Sequence, residues 1–90
     1  MERRHAETMK TIRGTVIVAR DHSARIYTDV RSTDGAVHHL SCPGDDRTWG
    51  IVQPGALVVA ECEDADRAVV FPDGAWRTWV AVHVWPAEGE

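Results

Sequence analysis

The sequence predicts an all-β fold, a small six-stranded antiparallel barrel with one short helical turn near residues 48–52. Three observations carry this prediction. Turn signals recur about every ten residues along the 90-residue chain, β-prone segments lie between them, and these segments are too short for crossover helices. Closing the sheet into a barrel removes the free edges that a valine-rich chain would otherwise expose.

The turn signals are clusters of glycine, proline, aspartate and serine. They lie at residues 21–23, 32–35, 43–46, 53–55, 63–66 and 72–74. The last of these reads Pro-Asp-Gly, in which proline presets φ and glycine accepts a positive φ. It therefore predicts a hairpin between the last two strands.

The strands predicted between these turns cover residues 11–20, 24–31, 36–41, 56–63, 67–71 and 76–85. In the first strand, Gly14 lies among residues of one apolar face and predicts a bend or bulge. The second strand alternates cleanly, so that one face is predicted to point inward and the other outward. The inward residues are Ala24, Ile26, Thr28 and Val30, and the outward residues are Arg25, Tyr27, Asp29 and Arg31.

Residues 42–53 form the one irregular stretch, where a helical turn is predicted with Asp46 or Thr48 as its cap. Its apolar side chains are expected to plug one end of the barrel. We predict one domain over residues 11–85, preceded by a flexible arm at residues 1–10 and followed by a flexible tail at residues 86–90.

The charge distribution is uneven. The net charge is −4, but residues 1–31 carry +3 and residues 32–90 carry −7. Overall acidity argues against strong, non-specific binding to polyanions, yet the first two strands can still present a basic patch. No apolar run approaches the roughly 20 residues needed to cross a bilayer, and no secretory signal is predicted, which favours a cytoplasmic location.

Four segments resemble the S1 and cold-shock branch of the OB-fold. They are the Arg-Gly-Thr-Val-Ile-Val run at 13–18, the glycine-led strand at 34–41, the Pro-Gly loop and strand at 52–59, and the segment at 66–70. The resemblance covers residues 11–71 and implies an OB-like barrel, and it leaves open whether this barrel binds single-stranded RNA or DNA. The chain departs from the family on strand two, where Tyr27 is the only outward aromatic residue.

The leading hypothesis is a nucleic-acid surface on strands one to three. Single-stranded nucleic acids are bound by cations that track the phosphates and by aromatic rings on which bases stack. The candidate residues that supply these groups are Arg13, Arg20, Arg25, Tyr27, Arg31 and His38. The structural alternative is a solvated strand face held by cross-strand Arg–Asp pairs.

The alternative function is a protein-interaction or assembly module, either a homo-oligomer or a subunit of a complex. Exposed tryptophans mark interfaces, and the last strand holds three of the four tryptophans. Alternation places the candidate interface residues on one face: Arg77, Trp79, His83 and Trp85.

No catalytic, cofactor or metal site is predicted. Asp21, His22 and Ser23 have the residue types of a triad, but consecutive residues in a turn cannot hold its geometry. The candidate zinc ligands have no established ligand spacing: His38, His39, Cys42, Cys62 and His83. We therefore expect a binding protein without enzyme activity.

Overall fold

Five strands close into a barrel in the order β1-β2-β3-β5-β4. The computed structural model describes residues 9–87, with residues 64–66 as backbone only. The elements in chain order are β1 (Met9–His22), β2 (Arg25–Arg31), β3 (Val37–Pro43), α1 (Asp46–Ile51), β4 (Leu57–Phe71) and β5 (Gly74–Pro86). The predicted all-β, OB-like fold with one short helix is confirmed. Its strands pair antiparallel as predicted, except that β3 and β5 close the barrel with a short parallel pairing, Leu40 opposite Trp79 and Ser41 opposite Val80.

The predicted terminal segments fall largely outside this range. Residues 1–8 of the arm and 88–90 of the tail lie outside the described residues, while β1 already begins at Met9 and β5 ends at Pro86. No helix within the described range is long and apolar enough to span a membrane.

Strand β1 is shared between two neighbours. Its first half pairs with β4, from Met9 opposite Glu63 to Thr15 opposite Leu57, and its second half pairs with β2. At Gly14, β1 and β2 approach each other so closely that an added Cβ would lie 2.2 Å from the Arg31 carbonyl oxygen. The bulge itself falls between Val16 and Val18, so Gly14 serves the close approach rather than the bulge.

The predicted fourth and fifth strands are one continuous strand, β4. Between Cys62, which pairs with Ala81, and Asp66, which pairs with Trp79, three residues of β4 oppose one of β5. The segment at 63–66 is therefore an irregularity within a strand and not a turn. It contains neither glycine nor proline, so nothing in its composition forces the chain to reverse.

The core lies inside the barrel, and Ile51 at the end of α1 packs against it. The buried apolar residues form one cluster: Ile12, Val16, Ile26, Val30, Leu40, Cys42, Val52, Val58, Ala60, Cys62, Ala81 and Val84. The alternation predicted for β2 is confirmed for Ile26, Thr28 and Val30, whereas Ala24 lies exposed in the preceding turn. The cap of α1 is Asp45, not Asp46 or Thr48, and its carboxylate accepts the Thr48 N–H at 2.7 Å.

Both cysteines are buried free thiols, as expected for core residues. Burial, reinforced by the neighbouring Cys62, raises the pKa of the Cys42 thiol to about 12, and burial raises the pKa of Cys62 to about 11. A thiol that holds its proton in the folded state stabilises the fold below its unfolded pKa, near 9.0, and this stability is lost as the pH rises towards the folded value.

We therefore expect the free energy of unfolding to fall above pH 9, by about 1 kcal/mol for each thiol at pH 10. Urea unfolding at pH 8 and at pH 10 measures the change. A Cys42→Ala/Cys62→Ala variant lacks both thiols but keeps every other group that titrates at alkaline pH. The free energy of unfolding of this variant should therefore fall less between pH 8 and pH 10. An equal decline in the two proteins would contradict the prediction.

Candidate nucleic-acid interface

The outward side chains of β1, β2 and β3 meet the β4–β5 hairpin on one side of the barrel. Arg20 lies opposite Tyr27 across the β1–β2 ladder, and Asp29 lies opposite His39 across the β2–β3 ladder. The hairpin, turned by the predicted Pro-Asp-Gly segment, brings two further aromatic rings onto these strands. We call this surface the aromatic face and define it by Arg20, His22, Tyr27, Asp29, His39, Phe71, Trp76 and Thr78.

The rings of the aromatic face contact one another through their edges. The Tyr27 and Phe71 centroids are 5.0 Å apart at 88°, and His22 lies 4.8 Å from Phe71 and 5.9 Å from Tyr27. Phe71 is only 7% exposed, so it supports the surface from below. The Arg20 guanidinium carbon lies 4.9 Å from the Phe71 centroid, a cation–π distance that fixes a positive charge beside the rings.

The hairpin also contributes an open ring. Trp76 is 39% exposed, and its centroid lies 5.0 Å from that of His39. His39 in turn is held by Asp29, with Nδ1 2.7 Å from a carboxylate oxygen. Trp76 is therefore positioned by a neighbour on β3 while part of its ring remains accessible to a ligand.

A small concave site, with a cavity volume of about 40 Å³, lies in the middle of the aromatic face. Its wall includes aromatic, charged and hydroxyl side chains, among them Arg20, Tyr27, Asp29, His39, Trp76 and Thr78. Aromatic and apolar walls with a few convergent polar groups are typical of ligand-binding sites in general.

The structure brings two of the six predicted nucleic-acid residues, Arg20 and Tyr27, onto this face. Arg25 lies beside Tyr27 and is half-buried, with Nε and a terminal nitrogen donating to Oγ and the carbonyl of Ser41 at 2.7 and 2.8 Å. It therefore joins β2 to β3 at the edge of the aromatic face.

The other three lie elsewhere. Arg13 sits on the part of β1 that pairs with β4, and Arg31 ends β2 away from Tyr27. His38 is directly opposite the buried Val30, so it shares the inward orientation, and its Nε2 lies 3.3 Å from Ser32 Oγ. Its neighbour His39 takes the outward position, because successive residues of a strand point to opposite faces.

The sequence hypothesis missed His39, Phe71 and Trp76. In the sequence, period-2 alternation groups Trp76 with Thr78, Val80, Val82 and Val84, and this mainly apolar set predicts core rather than a ligand surface. The Pro-Asp-Gly turn does fix the local register, with Val69 opposite Trp76. How the hairpin lies over β2 and β3 depends on contacts distant in sequence, so no local signal could have shown it.

The predicted protein-interface residues do not share one face. Trp79 packs against the core, with the Lys10 ammonium 3.8 Å from its ring centroid. His83 and Trp85 are exposed and stacked at 5.6 Å and 28°, while Arg77 is exposed on the hairpin. The pairing of β4 with β5 explains this separation. Glu61 pairs with His83 and Cys62 with Ala81, so Val82 is an extra residue in β5. This bulge reverses the inward and outward alternation of the side chains along β5.

The candidate zinc ligands are also dispersed. Cys42 and Cys62 lie in the core, and His38 and His39 point to opposite faces. Among the side chains that the structure describes, those of residues 9–63 and 67–87, no three histidine, cysteine or acidic groups come together as metal ligands.

Solved structures with a similar fold include those of the mitochondrial single-stranded DNA-binding protein Rim1 from S. cerevisiae. One Form2 structure has a TM-score of 0.65 at 16% identity, over 89% of this chain and 92% of that chain. A selenomethionine-labelled Form2 structure gives 0.64 at 14% over 88% and 93%, and a Form1 structure gives 0.59 at 14% over 88% and 94%. This likeness supports the OB-like fold. No protein-family model matches the chain, and no curated protein matches it.

Proposed function

We propose that this protein is a non-catalytic binding module that holds single-stranded DNA on the aromatic face. The observation that carries the proposal is the open Trp76 ring beside Tyr27 and the Arg20 guanidinium on one side of an OB-like barrel. Bases stack on aromatic rings with about 1–3 kcal/mol each, and cations attract the phosphates. The similar fold of Rim1, whose name describes single-stranded DNA binding, supports this proposal.

The same chemistry extends the proposal to single-stranded RNA, because every base has a ring face that can stack. The resemblance of residues 11–71 to S1 and cold-shock domains favours this extension. Titrations with a DNA and an RNA oligonucleotide of the same base sequence, under identical conditions, compare the affinities of the protein for the two ligands.

Binding should weaken with added salt, because phosphate neutralisation releases counterions. With a few cations near the aromatic face, we expect the logarithm of the binding constant to fall with the logarithm of salt concentration with a slope of about −2. Fluorescence anisotropy of a labelled mixed-sequence 20-mer between 25 and 200 mM NaCl measures this slope. Arg20→Gln should weaken binding and reduce the slope by about 0.7, the contribution of one phosphate contact to a single strand.

Arg47→Gln is the matched control, since Arg47 is exposed on α1 and outside the aromatic face. It should leave the slope unchanged. Absent binding at 25 mM NaCl, or a slope that Arg20→Gln does not alter, would contradict the proposed surface.

We propose as a second candidate a contact between copies of this chain through the exposed end of β5. The stacked His83 and Trp85 favour it, together with exposed Leu57, which lies on the neighbouring strand β4. A stacked, exposed aromatic pair beside an aliphatic side chain is typical of protein interfaces. In this case the protein would run above its monomer mass of 10.0 kDa on sizing at low micromolar concentration, and Trp85→Ala would restore the monomer.

A further inference from the structure

A histidine ring on the aromatic face is held in one orientation by two neighbours. His39 Nδ1 lies 2.7 Å from Oδ1 of Asp29, and the His39 ring centroid lies 5.0 Å from that of Trp76. An ionised carboxylate only accepts hydrogen bonds, so the proton of the neutral His39 ring lies on Nδ1. Nε2 is then the unprotonated nitrogen, and the His39 side chain is 30% exposed.

The neutral His39 ring does not bind a phosphate through Nε2. This nitrogen and the phosphate oxygens are all acceptors, so their lone pairs would meet without a proton between them. The Asp29 side chain, which is 33% exposed, adds a negative charge to the same surface and repels phosphates. A proton on Nε2 reverses both effects, because the ring becomes a donor and its positive charge offsets that of Asp29.

Other charged or titratable side chains lie around His39 on the outward side of the neighbouring strands and of the β4–β5 hairpin. They are Arg20, His22, Tyr27, Arg31, Arg67 and Asp73. Among these residue types, histidine is the one whose charge changes between about pH 5 and pH 8. His22 packs against the rings of Tyr27 and Phe71, whereas His39 has a carboxylate at Nδ1 that orients its ring.

We infer that His39 contacts a phosphate of the bound strand in its protonated form, so that binding of single-stranded DNA is coupled to the uptake of a proton. The positive ring then lies between two negative groups, the Asp29 carboxylate at Nδ1 and the phosphate at Nε2. A nucleotide whose base stacks on Trp76 brings its phosphate close to His39, because the two rings are in contact. This inference deepens the proposed function and rests on it.

The direction of the pH dependence follows from linkage. Only the protonated His39 ring donates from Nε2, so the complex holds this proton more tightly than the free protein does. The binding constant is therefore highest at low pH and falls as the pH rises towards 8. We expect binding to be about tenfold tighter at pH 5.5 than at pH 8.0, the lower end for a hydrogen bond to a charged group.

The test uses a labelled thymidine 12-mer, because thymine has no group that titrates between these two pH values. Anisotropy titrations at constant ionic strength measure the affinity at each pH, and titrations with added NaCl measure the salt slope. The slope should be steeper by about 0.7 at pH 5.5, the contribution of one further phosphate contact to a single strand.

Two variants of His39 remove the proton in different ways. His39→Phe keeps a ring beside Trp76 without nitrogens, and His39→Gln keeps a polar side chain that does not become charged. Both should lose most of the rise in affinity towards low pH, although the other four of the five histidines remain. Circular dichroism at both pH values checks folding, and if one variant is unfolded the other decides.

His83→Gln is the matched control, since His83 also stacks on a tryptophan but lies outside the aromatic face. It should keep the rise in affinity. Calorimetric titrations at pH 6.5 in PIPES and in Bis-Tris, whose ionisation enthalpies differ, count the protons taken up on binding. The wild type should take up a fraction of one proton, and His39→Phe should take up less.

The remaining outcomes are distinct. Wild-type affinity that is equal at the two pH values or greater at pH 8.0, or binding without proton uptake, overturns the inference and leaves single-stranded DNA binding intact. A rise that persists in both His39 variants, or that His22→Gln removes instead, overturns the assignment to His39. Failure to bind the thymidine 12-mer and the mixed-sequence 20-mer at either pH overturns the proposed function itself.

Discussion

Replacing Trp76 with alanine should weaken the binding of a single-stranded oligonucleotide by roughly 5- to 150-fold, which corresponds to the loss of one base stack of about 1–3 kcal/mol. Trp76 combines partial exposure with a fixed position, since His39 contacts its ring and Asp29 holds His39. A ring that is ordered before binding loses little conformational entropy when a base stacks on it. Anisotropy titration of the labelled 20-mer at 25 mM NaCl measures the change.

Trp76→Phe provides a graded variant, because phenylalanine keeps a ring face at this position and should retain part of the affinity. Trp85→Ala is the matched control, since Trp85 is 41% exposed against 39% for Trp76 and lies outside the aromatic face. It should leave the affinity unchanged. If Trp85→Ala weakened binding while Trp76→Ala did not, the oligonucleotide would occupy the end of β5 and the proposed surface would be wrong.

The barrel could be predicted from sequence because its determinants are local. Pro-Asp-Gly at residues 72–74 sets the β4–β5 hairpin, and alternation in β2 separates buried Ile26 and Val30 from outward Tyr27. These patterns depend on a few neighbouring residues and on the geometry of turns and strands. The strand count was less predictable, because a polar acidic segment at 63–66 can mark a turn or an irregularity within one strand.

The aromatic face was only partly predictable. Arg20 and Tyr27 followed from alternation and charge, but the positions of Phe71 and Trp76 depend on where the hairpin lies over β2 and β3. The prediction that Trp79 and Trp85 share one face shows how a single extra residue changes a prediction based on strand alternation. The extra residue Val82 reverses the alternation, so Trp79 packs against the core while Trp85 stays exposed.

Gly14→Ala should lower the free energy of unfolding by about 3 kcal/mol or more, at or above the upper end of the usual cost of overpacking. An added Cβ would lie 2.2 Å from the Arg31 carbonyl oxygen and 2.7 Å from its carbonyl carbon. Both are backbone atoms of β2, so a side-chain rotation cannot relieve the contact and the strands must separate. For a domain of this size, about 3 kcal/mol corresponds to a fall in melting temperature of roughly 12–24 °C.

Gly50→Ala is the control for the same chemical change. Gly50 lies in α1, where an added Cβ meets nothing within 4 Å, so alanine should stabilise the protein by up to about 1 kcal/mol through its higher helix propensity. Urea unfolding and thermal melting of the two variants measure both effects. Because β1 turns from β4 to β2 next to Gly14, equal stabilities of the two variants would mean that β1 and β2 do not approach as closely as the barrel requires.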